Sequence, residues 1–349
     1  MRHCRLWQHR AAIRRLPQDP SCRRCGDHRR LQPGSPEREI AERDYGLRAT
    51  GDIEELLAWK PDCLLVASTS VAHAEQVLAA SAKKVHIFCE KPIALNLADA
   101  DRMIAAATGI ITVVNYSMRF IDAYIKLRDM AAAGDFGTIL SVTHMKTRGF
   151  GLYAGGARHR AVLEPQESGG WTVHHACHDV DFLYWLNGPM TSAYGLAAST
   201  FAGSEEVVHG VLSFASGGVG TVGDSVCGIR DHYTLVIGSK AQAVLRSEHG
   251  STELRFRREG ETEDRLIPAT DTKRKGGGID HFLDCVRAGR PSEKRPQKRA
   301  ALAGRVDRAT GIGRHGKGSR DTLGAAAPGA LVRAPDRGGF GGAVAPLFP

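Results

Sequence analysis

Residues 85–114 read VHIFCEKPIALNLADADRMIAAATGIITVV, and the fold class turns on them. Val85–Cys89 is a continuous apolar run of strand length, the pattern of a parallel strand covered on both faces. Leu97–Ala107 has helical length, and Ile110–Val114 is again apolar and rich in β-branched residues. Strand, helix and strand in that order specify a right-handed, parallel βαβ unit. The alternation continues upstream. Cys63–Ala67 (CLLVA) is a further buried strand and Val71–Ala82 a helix. Asp52–Ala58 is a short helix that Thr50 or Asp52 can cap, and Glu39–Tyr45 is the end of another. These elements make a first domain over residues 39–116.

Beyond residue 117 the period changes. A helix at Ile121–Ala133 closes on Gly134, Thr138–Lys146 alternates as a strand, and Thr172–Leu186 is helical. Ser192–Ser199, Val207–Phe214 and Val219–Val226 follow as strands, the last two joined by Ala-Ser-Gly-Gly, where glycine supplies the positive φ of a hairpin turn. His232–Ile237, Ala243–Arg246, Glu253–Arg257 and Asp264–Ile267 continue a meander. The expectation is an α+β domain over residues 117–292, with a mostly antiparallel, open sheet and helices on one face.

The chain of 349 residues is 42% apolar and 24% charged, as expected of a globular enzyme of two domains. It has no apolar stretch approaching the ~18 residues of a membrane span, and no secretory signal is evident, so a membrane partner is not expected. Eight cysteines stand at 4, 22, 25, 63, 89, 177, 227 and 285 without a disulfide pattern, which fits a reducing cytoplasm. The net charge of +9 resides in the ends: residues 1–39 carry +6 and 291–349 carry +7, leaving −4 between them. Neither end carries a nucleic-acid recognition motif, so nucleic acid is not an expected partner.

A family resemblance rests on VASTSVAHAEQVLAA, VHIFCEKPIALNLADADRMIAAA, NYSMRF, GGWTVHHACHDVDFLYWLNG and HYTLVIGSKAQAVLR. In this order they resemble the glucose–fructose oxidoreductase and inositol dehydrogenase (Gfo/Idh/MocA) family over about residues 40–290. The resemblance implies a Rossmann-like, dinucleotide-binding domain, NAD or NADP as cofactor, and a sugar, cyclitol or polyol as substrate. It also implies an opening strand, GxGxxG loop and helix, which should fill residues 1–38. No GxGxxG stands there, so the first βαβ unit is expected to be missing. Residues 1–38 and 293–349 lack periodicity, and both are read as aberrant or disordered. Translation out of frame at both ends explains this better than simple disorder, because a first strand would normally be central to the sheet.

The resemblance assigns Lys91 of Glu-Lys-Pro as the lysine between cofactor and substrate, and His178 as the acid/base. A histidine suits that role because its ordinary pKa lies near working pH. A cationic lysine stabilises a developing alkoxide. His174 stands where most family members carry aspartate, and is expected to bind substrate. Asp181, three residues beyond His178, can share its helix face and orient it. Ser68, His73, Glu90, Lys91 and Pro92 are expected at the cofactor, and Tyr116, Arg119 and Trp171 at the substrate. His174 and His178 at this spacing, or Cys22, Cys25 and His28, also resemble partial metal sites, but neither set has enough ligands, and no metal is expected. The expected reaction is hydride transfer between nicotinamide and a secondary alcohol. NAD-dependent glycoside cleavage and an inactive remnant that cannot hold the dinucleotide are the alternatives. A homodimer or homotetramer through the second sheet is expected.

Overall fold

The computed structural model describes residues 4–6, 26–27, 36–148, 165–199, 205–248, 251–273 and 277–292. The tail 293–349 and the Cys22, Cys25, His28 group lie outside them. The first sheet is parallel, in the order β2 (Gly26–Asp27), β1 (Cys4–Leu6), β3 (Cys63–Val66), β4 (His86–Cys89), β5 (Thr112–Val114). The expectation that the first βαβ unit is missing is corrected to this extent: Cys4 pairs with Cys63 and Arg5 with Gly26 in parallel register. The glycine loop is still absent, because Trp7–Cys25, which joins the two strands, contains no glycine.

Helices α1 (Pro36–Tyr45), α2 (Ile53–Ala58), α3 (His73–Ala82) and α4 (Leu97–Ala106) lie between these strands. Two begin at side-chain caps, α2 at Asp52, one of the two residues expected to cap it, and α4 at Asn96. The Asp52 carboxylate accepts from the Glu54 amide at 2.9 Å, and the Asn96 side chain accepts from the Asp99 amide at 2.8 Å. On one sheet face Leu64, Val66 and Ile87 pack with Leu56 of α2 and Val77 of α3. On the other, Leu65, Phe88 and Val113 pack against Phe282, with the two Phe rings 5.8 Å apart. Phe282 belongs to the last described helix, Gly277–Arg287. A chain segment from the far end of the sequence therefore seals the first sheet, and truncating such a buried ring costs about 3–5 kcal/mol.

The second sheet has eight strands: β6 (Ile139–Thr147), β7 (Met190–Ala198), β8 (Val207–Phe214), β9 (Val219–Ser225), β10 (Asp231–Gly238), β11 (Ala241–Glu248), β12 (Ser251–Arg258) and β13 (Arg265–Ile267). Their order is β13-β12-β11-β10-β6-β9-β8-β7. All neighbours are antiparallel except β6 and β9. The plain meander is thus corrected: β6 inserts between β9 and β10, which places its residues at the centre of the sheet. α5 (Asp122–Ala132) and the helix Cys177–Asn187 cover the inner face through Leu127, Phe182 and Leu183, all fully buried.

Candidate active site

Glu90, Lys91 and Pro92 follow β4 at the carboxyl edge of the first sheet, where ligands bind in such folds. The loop is fixed from three sides. The Glu90 amide donates to the Val66 carbonyl at 2.7 Å, and Asn115 Nδ2 donates to Glu90 Oε1 at 2.7 Å. The Lys91–Pro92 bond is cis. The Pro92 carbonyl lies 2.8 Å from Nδ1 of His73, whose Nε2 is 3.3 Å from the Ser68 carbonyl. Burial holds His73 below the ordinary imidazole range, so it is neutral, and its one N–H serves the shorter contact to Pro92. His73 is 1% exposed, so the expectation that it meets the cofactor is corrected: it ties the β3 and β4 loops together. Ser68 Oγ donates to Gln76 at 2.9 Å.

The second motif meets the first. Gly169 and Gly170 have φ of +84° and +81°. A Cβ at Gly169 would stand 2.8 Å from Val173 Cγ1 and 3.0 Å from Leu95 Cδ2, so only glycine lets this turn close on the loop that carries Lys91. The chain then enters a π-helical turn, Thr172–Ala176, before the regular helix α7 (Cys177–Asn187); α6 is the single turn Pro165–Ser168. Such turns recur at functional sites because they re-aim side chains within a helix.

The aim here is at Lys91. Its Nζ donates to the His174 carbonyl at 2.8 Å and stands 3.2 Å from His174 Nε2. Nε2 must then accept, which leaves the His174 proton on Nδ1, a buried atom with no hydrogen-bond partner. Burial first, then the charge of Lys91, lowers the His174 pKa to about 4. His174 is therefore a neutral donor. Burial likewise lowers the Lys91 pKa.

His178 lines a cavity of about 200 Å³ between the segment around Met118–Tyr124 and the inner face of the second sheet. Burial, and next the charge of Lys91, hold it well below the imidazole range, so its ring is a neutral base. Its Nδ1 is buried without a hydrogen-bond partner, and Tyr116 stands edge-on to it with centroids 6.2 Å apart. Of the residues singled out in the sequence, His178 alone is part of this cavity wall.

Asp181 does not orient His178. It forms a two-pronged ion pair with Arg119, both contacts 2.8 Å, with the side chains 9% and 4% exposed. Each is thereby withdrawn from the expected substrate contact. Trp171 is also corrected: it is 1% exposed and stacks beneath His175 at 4.3 Å.

The sequence reading missed a polar network behind the cavity. Asp179, fully buried, accepts from His144 Nε2 at 3.0 Å and pairs with Lys146 Nζ at 2.5 Å. Its other oxygen, Oδ2, has no donor. Asp224 pairs with Arg148 at 3.0 Å, and burial followed by the charge of Asp179 raises the Asp224 pKa to about 7. A proton on Asp224 supplies the donor that Asp179 lacks. Arg148 also donates to His175 Nδ1 at 2.7 Å. The signal that could have found this network was polar residues at the inward positions of β6, His144 and Lys146 on the face of Val142. Among the described residues no three His, Cys, Asp or Glu side chains are grouped to hold a metal.

Residues 30–115 match the model of an oxidoreductase family with an NAD-binding Rossmann fold, GFO/IDH/MocA, and residues 124–244 match the GFO/IDH/MocA C-terminal domain. The chain is similar to 2,7-anhydro-N-acetylneuraminate hydratase of Escherichia coli, 28% identical over 69% of this chain and 67% of the relative. It is similar to myo-inositol 2-dehydrogenase of Thermotoga maritima, 28% identical over 63% of this chain and 70% of that one. In fold it resembles levoglucosan dehydrogenase in complex with NADH, with a TM-score of 0.65 and 18% identity over 76% of this chain and 82% of the other.

Proposed function

We propose, from the premise that this chain belongs to the GFO/IDH/MocA oxidoreductase family, that it oxidises or reduces a secondary alcohol of a sugar, cyclitol or sugar derivative. The observation that carries the reading is the Lys91–His174 contact beside a neutral His178 that borders a sugar-sized cavity. At about 200 Å³ the space is smaller than the roughly 300–1,000 Å³ usual for drug-sized ligands.

The fit to a nicotinamide dinucleotide is divided. At the carboxyl edge of β3–β5, the Lys91 ammonium, the Asn115 amide and the unpartnered His174 N–H form a donor set suited to the nicotinamide and its ribose, and the Ser68 hydroxyl, whose proton goes to Gln76, is left as an acceptor. The connection from β1 to β2 has no glycine with which its backbone could approach a pyrophosphate. Bound nicotinamide supplies the hydride acceptor or donor. The chain's own residues manage the proton and the charge. His178 takes the hydroxyl proton on its free lone pair. Lys91, which His174 aims, lies against the oxygen as it gains negative charge, an interaction that strengthens towards the transition state. Tyr116 packs at right angles to the imidazole and holds its orientation.

The test is sugar- or cyclitol-dependent reduction of NAD or NADP. Turnover is expected with cofactor held about 100-fold more weakly than by a relative with the glycine loop, a loss of ~3 kcal/mol. Micromolar cofactor affinity would contradict the pyrophosphate argument, and no reduction with any sugar at millimolar cofactor would contradict the function.

The outer face of the second sheet presents Tyr194, Leu196, Val211 and Val219, between 50% and 70% exposed. The registers Tyr194–Val211 and Val219–Ser213 put them on one face. A second copy of the chain is the occupant assigned to it, since such patches mark interfaces. Sedimentation is expected to show a dimer or tetramer that Tyr194→Asp together with Val211→Asp converts to monomer. A wild-type monomer would refute the assignment.

A further inference from the structure

The cavity beside His178 has one electrically lopsided wall. That wall is formed by Lys146 and Arg148 of the β6 strand and its end, Arg230, His232 of β10, Ser247 of β11 and Thr252 of β12. The acidic groups near it are already engaged or set apart. Asp179 is held by Lys146 and His144, and Asp224 by Arg148. Asp231, next to Arg230, is gripped by Arg246 at 3.0 Å. Asp271 is the one carboxylate among the lining residues, and it is exposed.

Arg230 is exposed beside the cavity, while His232 Nε2 is buried with no hydrogen-bond partner. The hydroxyls of Ser247 and Thr252 face each other at 3.1 Å. A guanidinium fork, an imidazole nitrogen and two hydroxyls around one space match a planar, two-oxygen anion better than a single alcohol group.

We propose that this wall receives a carboxylate carried on a monosaccharide, so that the substrate is a sugar acid and Arg230 its specificity residue. The proposal rests on the dehydrogenase reading and narrows its substrate. The anion would engage Arg230, which leaves Lys91 free for the developing alkoxide. The surrounding histidines agree with a positive field: after burial, Lys146, Arg148 and Arg230 lower the His232 pKa to about 3. A carboxylate there would relieve both the uncompensated cation and the unpartnered nitrogen.

The experiment titrates the full chain with D-glucuronate and with D-glucose, read by ligand-observed NMR, in wild type and in Arg230→Gln. The wild type is expected to bind the acid about 10- to 100-fold more tightly than the neutral sugar, the span of a hydrogen-bonded charge. In Arg230→Gln that preference should disappear with glucose binding unchanged. Equal or weaker binding of the acid overturns the proposal, as does a preference that survives the substitution. If NAD reduction proceeds with neutral sugars and not with acids, the dehydrogenase reading stands while this inference fails. If neither sugar binds, this inference fails, and the dehydrogenase reading is decided by NAD reduction with other sugars and cyclitols.

Discussion

At the scale of single residues, the site depends on which proton sits where. Lys91 donates to His174, so this histidine is a neutral donor and cannot supply the fixed negative charge that a carboxylate would. Lys91 and His178 could be singled out in the sequence because their motifs are contiguous. The roles of Asp181, Arg119 and Trp171 were not, because a helix-face argument gives direction without naming the partner across the interface. The buried pair Asp179 and Asp224 gives a pH prediction. The Asp224 pKa rises from 3.8 to about 7 on folding, so the folded state keeps a proton that the unfolded chain has released between those values. Such a group weakens the fold as pH rises through that range, by up to about 1.4 kcal/mol per pH unit. Urea denaturation of wild type and Asp224→Asn should therefore show the wild type losing stability relative to the variant from about pH 5 to about pH 7. A constant difference between them would contradict the assignment.

At the scale of elements, β3, β4 and α2 lie within a residue or two of where apolar runs and capping residues put them. The π-helical turn at Thr172–Ala176 was not foreseeable, since Thr-Val-His-His-Ala continues a helical pattern as written. The insertion of β6 between β9 and β10 was equally hidden, because pairing of distant strands leaves no trace in local periodicity. The Gly169 turn couples these elements to the lysine loop. Gly169→Ala is expected to cost about 1–3 kcal/mol from its φ of +84° and its contacts with Val173 and Leu95. Turnover should fall with it, because the same turn sets the path of His174 towards Lys91. A urea midpoint equal to wild type would show that the turn tolerates a side chain.

At the scale of the whole molecule, two sheets divide the labour. The first carries Lys91 at its carboxyl edge, and the second, with α7, encloses the cavity that His178 borders. What the chain lacks is local: a glycine anywhere in Trp7–Cys25, between strands that otherwise occupy the central and outer positions of a dinucleotide-binding sheet. In the proposed reading Lys91 and His178 keep the chemistry, while a glycine-free connection from β1 to β2 weakens the hold on a pyrophosphate. The most direct test is the rate of sugar-dependent NAD(P) reduction at saturating, millimolar cofactor, compared among wild type, His178→Ala and Lys91→Ala. Both variants should retain the wild-type unfolding midpoint and lose about 10²- to 10⁴-fold in kcat, the usual worth of a positioned acid–base or charge-stabilising group. Either variant turning over at the wild-type rate would contradict the account.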